Sequence, residues 1–170
     1  MKIRPPTTEE HPKVAALLRQ AFPDSGGEAR LVADLRHHGK IVHEWVCIHT
    51  NQVIAYLALT NAYHGARVCG LHVAPLAVKP EFQGQGVGSE LLRFALRQEA
   101  VREQTLFVLG DAGFYQRFGF TPCLQPICPF DKGNTHFLGL RNPAVAFTVG
   151  YEAEFRALAA PPRKAKGRKR

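Results

Sequence analysis

Between Val78 and Ser89 the chain reads VKPEFQGQGVGS, with glycines at 84, 86 and 88 between a strand-like run and a helix-like run. Glycine at that junction lets backbone N–H groups at the positive end of a helix dipole approach an anion with no Cβ in the way. Three alternating glycines exceed what one tight strand-to-helix turn requires, so the segment reads as an anion site. It is not a dinucleotide fingerprint, because Ser89 or Leu91 stands where the last glycine or alanine would be needed. Nor is it the phosphate loop of nucleotide hydrolases, since no lysine follows Gly88. Farther on, FYQRFGF at residues 114–120 carries Tyr115, and a histidine, His72, lies in the strand-like run that precedes Pro75. A tyrosine hydroxyl can donate a proton, and an imidazole can receive one near neutral pH.

The two segments together resemble the GNAT superfamily of acetyl-CoA-dependent N-acetyltransferases. Its signature [Gln/Arg]xxGx[Gly/Ala] is met by Gln83, Gly86 and Gly88 after a strand ending LeuAlaVal, and its later FYxxxGF signature by residues 114–120. The run LAV, GQGVG, LGD, YQRFGF is similar to the bacterial YhbS-like branch, and the resemblance in element order covers roughly residues 1–140. It implies that backbone amides of Gln83, Gly84, Gln85, Gly86, Val87, Gly88 and Ser89 hold the CoA pyrophosphate. It further implies that Leu76, Ala77 and Val78 pair with the pantetheine amides, and we count Asp111 with the cofactor-binding set. Tyr115 is then the general acid that protonates the departing thiolate. For the base His72 comes first, with Glu81, Glu44 and Asp111 as further candidates. Metal is not required, and the eight histidines show no HExxH spacing.

These residues need elements to position them. Thr7 and Glu10 have capping-box spacing, and Val14, Leu17, Leu18 and Ala21 form the buried stripe of a helix ending at Phe22. Leu31, Val32 and Leu35 mark a second helix that stops by Gly39, and Ile3 suits a short edge strand. Residues 44–60 read as a β-hairpin turning at Asn51 and Gln52, and 70–78 as a third strand. Pro75 removes a ladder donor there, so it predicts a bulge or an end to pairing that frees the Leu76 to Val78 backbone. A helix over 89–102, a strand over 105–110, a short helix over 112–118 stopped by Gly119, and two strands near 136–140 and 145–149 complete the pattern. The expectation is α/β (α+β): one GNAT-like domain with a mixed, mostly antiparallel twisted sheet, splayed near Pro75, and helices on both faces.

The chain has 170 residues, 45% of them hydrophobic, enough for one core. It has no run of about 20 apolar residues and turns polar at once after its start, which disfavours membrane and secreted readings. Four cysteines without CxxC spacing read as reduced thiols in a cytoplasm. The net charge of +8 is concentrated in residues 161–170, which hold six Lys or Arg and leave 16 bases against 14 acids elsewhere. We therefore expect an N-acetyltransferase domain over 1–160 and a basic, disordered tail over 161–170. The expected partner is a small-molecule or protein amine, with no membrane and with nucleic acid only through the tail; a homodimer is compatible. The readings left open are a non-catalytic acyl-CoA sensor or scaffold and an RNA- or ribosome-associated protein.

Overall fold

The computed structural model describes residues 1–24 and 26–159, so the basic run 161–170 lies outside the described residues. Seven strands form one sheet in the order β1-β2-β3-β4-β5-β7-β6. They are β1 Lys2–Arg4, β2 Ile41–His49, β3 Gln52–His64, β4 Arg67–Val78, β5 Leu106–Leu109, β6 Thr121–Pro122 and β7 Phe137–Leu140. Every pairing is antiparallel except β4 with β5.

Among the described residues five α-helices flank the sheet: α1 His11–Ala21, α2 Gly27–His37, α3 Val87–Arg97, α4 Ala112–Tyr115 and α5 Phe155–Ala159. β3 is the middle of the β2-β3-β4 meander and is apolar on both faces. Leu57 and Leu59 pack toward Leu91, Leu92 and Ala95 of α3, while Tyr56 and Ala58 pack toward Val14, Leu17 and Leu18 of α1. This alternation is what a strand covered on both sides requires. The capping box at Thr7 and Glu10 is formed, and Arg4 of β1 reaches the same carboxylate through both guanidinium nitrogens at 2.9 and 2.6 Å.

The first three strands, both early helices and the β-α-β order match the sequence expectation, and the later chain departs from it in three places. α3 begins at Val87, not Ser89, and ends at Arg97, not 102. Gln98 turns to extended backbone there and its side chain donates to the Phe94 carbonyl, after which Val101 folds back into the core. Residues 145–149 make no strand: they contribute one bridge, Thr148 to Ile127, and Gly150 beyond them bridges Tyr63. Both edges of β7 are already taken by β5 and β6, so no ladder position is left for them. β6 and α5 were not anticipated.

The decisive feature is in β4. Its partners on β3 step from Val73↔Leu59 to Leu76↔Leu57, so one extra residue is accommodated around Ala74 and Pro75. A bulge of that kind inverts the alternation. Leu71 and Val73 face the α3 side, and beyond the bulge it is Leu76 and Val78 that do so, with Ala77 on the opposite face. On its other edge β4 pairs with β5 only at Leu71↔Leu106 and His72↔Phe107. Past that point the two parallel strands part.

Candidate active site

A cleft of about 470 Å³ opens along the parted edge of β4. One wall is Leu76, Ala77 and Val78; the floor is the turn from Phe82 to Ser89; the far wall is Asp111, Phe114, Tyr115 and Arg117. Ala21 and Phe22 at the end of α1 close it from the other helical layer. The turn is held from both ends. Gln83 Nε2 donates to the Val78 carbonyl at 2.9 Å and Gln85 Nε2 to the Glu81 carbonyl at 3.0 Å. Gly84 and Gly86 have φ of +74° and +82°, and a Cβ on either would meet nothing within 4 Å. Their backbone faces open space, and the first amides of α3 have no carbonyl four residues earlier within the helix to accept them. An anion there would meet N–H groups, the positive end of the α3 dipole and the Arg117 guanidinium.

Arg117 and Phe114 are site residues that the sequence reading missed as such. The Arg117 guanidinium lies 5.0 Å from the Phe114 ring centroid and 5.6 Å from that of Phe118, and its Nη2 donates to Ser89 Oγ at 3.3 Å. The aromatic spacing of residues 114–120 was legible, but which of its faces carried the arginine was not.

Tyr115 is 9% exposed, its ring packed edge-on against Phe114 and Phe120. Its hydroxyl has no partner among the described residues, and burial raises its pKa above the ordinary phenol value. A hydroxyl so placed stays protonated at any working pH and has its donor unspent. Asp111 lines the same cleft, but its carboxylate caps α4 by accepting from Gly113 N at 3.0 Å, which occupies it structurally.

His72 does not enter this cleft. It is 1% exposed and forms part of a second cavity, about 290 Å³, on the other side of Pro75 along the same parting. Val73 and Ala74 of β4 and Phe107 to Leu109 of β5 line it, with Phe130, Tyr151, Phe155 and Leu158. His72 Nε2 lies 3.0 Å from the Gly150 carbonyl, which can only accept, so Nε2 carries the hydrogen and the lone pair is on Nδ1. That Nδ1 is buried without a partner, and burial pulls the imidazole pKa down to about 4 despite the Gly150 bond. The ring is therefore neutral at pH 7. Of the other base candidates, Glu44 is occupied by both Arg36 nitrogens and the Tyr56 hydroxyl. Glu81 is exposed and lines neither cavity. No group of three His, Cys, Asp or Glu among the described residues could hold a metal.

A sheet that opens between two parallel strands, with a glycine turn on one side of the opening and a tyrosine across it, is the plan of an acyl-group transferase. The acetyltransferase (GNAT) domain family matches residues 40–122. The chain is 35% identical over 125 residues to the uncharacterized N-acetyltransferase YhbS of Escherichia coli K12, covering 71% of this chain and 73% of that one. It belongs to the GNAT family of N-acetyltransferases. The crystal structure of E. coli YhbS in complex with CoA superposes with a TM-score of 0.83 at 29% identity, over 91% of each chain. A GNAT acetyltransferase from Brucella melitensis in complex with acetyl-CoA gives 0.77 at 25% identity, over 91% of this chain and 97% of that one.

Proposed function

We propose that this protein transfers the acetyl group of acetyl-CoA to a primary amine by direct attack, with the thioester in the larger cleft and the amine in the second cavity. The observation that carries this reading is the parting of β4 from β5 beyond His72 and Phe107, because it opens both cavities along one strand with only Pro75 between their walls. The amides from Gln83 to Ser89, with Arg117, suit a pyrophosphate. The edge of Leu76 to Val78 that faces away from β3 has no strand partner, and it suits the amides of an extended pantetheine arm. Among those groups the Val78 carbonyl already accepts from Gln83, and the Lys79 amide bond to the Ile54 carbonyl sets the register that turns the Ala77 backbone toward Tyr56 of β3, so the Leu76 backbone and the Val78 amide offer the freer contacts.

The protein's task is positional and electrostatic. The amine nitrogen bonds to the thioester carbon as the carbon–sulfur bond breaks, and the sulfur leaves with the bonding pair. Tyr115 gives its hydroxyl proton to that sulfur and regains one from solvent. The proton released by nitrogen goes to His72 Nδ1. A histidine held at a pKa of about 4 is too weak to strip a free alkylammonium, but it can take the far more acidic proton of a nitrogen newly bonded to the acyl carbon.

The supporting experiment is calorimetry with CoA, together with thiol release from acetyl-CoA across an amine panel. Micromolar CoA binding and amine-dependent thiol release are expected. CoA binding with no thiol release for any amine would leave the sensor reading in place of the enzymatic one.

A further inference from the structure

The second cavity differs from the first in its lining: among the described residues none of those that line it carries a charge at neutral pH. Its walls are aliphatic and aromatic. Phe130 and Tyr151 have ring centroids 4.9 Å apart, Tyr151 and Phe155 5.3 Å, and Tyr151 stacks on His72 at 3.7 Å with an interplanar angle of 11°. None of the carboxylates nearest in sequence lines this cavity. Glu152 is bound by Lys40 and the Tyr63 hydroxyl, Glu154 by His38, and Asp131 by the His136 amide. Among the described residues, the one buried side-chain polar atom of this wall without a partner is Nδ1 of His72, an acceptor only.

From this lining we infer that the acceptor is a small aromatic amine, a primary nitrogen on one ring, which enters as the uncharged free base. The inference rests on the acetyl-transfer reading of the β4 and β5 parting and deepens it. A polyamine or lysine side chain would bring an ammonium into a cavity with no carboxylate, and the pull of aromatic faces on a cation does not offset the loss of its water. A ring-bound amine is already unprotonated near neutral pH and can donate one N–H to His72 Nδ1. The volume of about 290 Å³ sits at the small end of ligand cavities and accommodates one substituted ring, not an oligosaccharide or peptide.

The test uses the full chain with CoA present and two ligands, 4-methylaniline and spermidine, in the parent and in Leu158→Glu. Leu158 is 37% exposed, so the variant folds while placing a carboxylate on the cavity wall. Binding is read by calorimetry, and thiol release from acetyl-CoA is followed in parallel. The inference expects 4-methylaniline to bind the parent at least tenfold more tightly than spermidine, and that ratio to fall at least tenfold in the variant. Equal or tighter spermidine binding by the parent, or a ratio unmoved by Leu158→Glu, overturns it. Binding of 4-methylaniline as expected without thiol release upholds the cavity assignment and counts against acetyl transfer, so the two readings fail separately.

Discussion

A Cβ placed on Gly110 would stand 2.7 Å from Cε2 of Tyr115. The backbone at Gly110 cannot retreat, because its N–H donates to the His136 carbonyl at 3.0 Å and β5 has just ended beside β7. The missing side chain is what seats the tyrosine ring against the cleft. Gly110→Ala should therefore tilt Tyr115 and lower kcat about tenfold. On a Tyr115→Phe background the same change should add little, and a double-mutant cycle on kcat measures that coupling. Additive effects would show that Gly110 acts elsewhere.

Tyr115→Phe keeps the ring, and with it the contacts to Phe114 and Phe120. Turnover should fall roughly ten- to a hundred-fold if the hydroxyl proton goes to sulfur, while CoA affinity stays unchanged. Burial raises the phenol pKa, so the parent has no tyrosine ionisation to limit its rate at mildly alkaline pH. Parental turnover in the variant across pH 6 to 9 would remove Tyr115 from the mechanism.

Gly86→Val tests the turn. The φ of +82° at this position is strained for a β-branched residue, and its Cβ would project into open cleft and not into the core. The expected result is a rise in the CoA dissociation constant of at least tenfold by calorimetry, with a loss of about 1–3 kcal/mol in stability from backbone strain. Full CoA affinity in the folded variant would refute the assignment of the pyrophosphate to this turn.

The shape of the glycine turn, the bulge at Pro75 and the place of Tyr115 on the cleft were legible because each depends on a local property: positive φ, a missing donor, a ring in a fixed motif. The bulge at Ala74 and Pro75 shows how far such reading reaches: the proline marks the register shift against β3, while pairing with β5 has already ended at His72. The second cavity was not legible. Of the loop 22–27 and the proline-rich segment 123–134, only Phe130 lines it; Phe22 lines the other cleft. Besides Phe107 of β5, the aromatic wall is completed by Tyr151 and Phe155, whose place depends on α5 docking onto Leu31 and Leu35 of α2, a contact more than 100 residues away in sequence. His72 was chosen by residue type, and its stacking under Tyr151 and its bond to Gly150 depend on tertiary packing alone.

Glu10 gives a pH prediction. The Arg4 hydrogen bonds, with the Thr7 amide, hold its carboxyl at about 2 against an ordinary 4.5. A depressed folded pKa stabilises above the unfolded value and loses that stabilisation as pH falls through the folded one. The contribution should be complete above about pH 4.5 and gone near pH 2. Glu10→Gln keeps an oxygen for the Thr7 amide and removes only the charge. Its thermal midpoint should lie slightly below the parent's at pH 7, and the two should converge near pH 2; a difference that persists at pH 2 would assign the effect to packing.

Asn134 is the staple of the segment that carries Phe130. Its Nδ2 donates to the Cys123 and Pro126 carbonyls, each at 2.9 Å, and its Oδ1 accepts the Cys128 amide at 3.0 Å. One side chain thus satisfies three backbone groups of a stretch whose prolines keep it out of helix and ladder, and its φ of +50° is one that asparagine tolerates better than most residues. Asn134→Ala leaves those groups unpaired and should cost about 2 kcal/mol in a denaturant melt. Because Cys128 and Phe130 lose their anchor together, the Michaelis constant for the amine should rise several-fold, while that for acetyl-CoA, which we propose binds on the other side of Pro75, should stay unchanged. An equal rise in both constants would mean that the loop supports the whole sheet and not the second cavity alone.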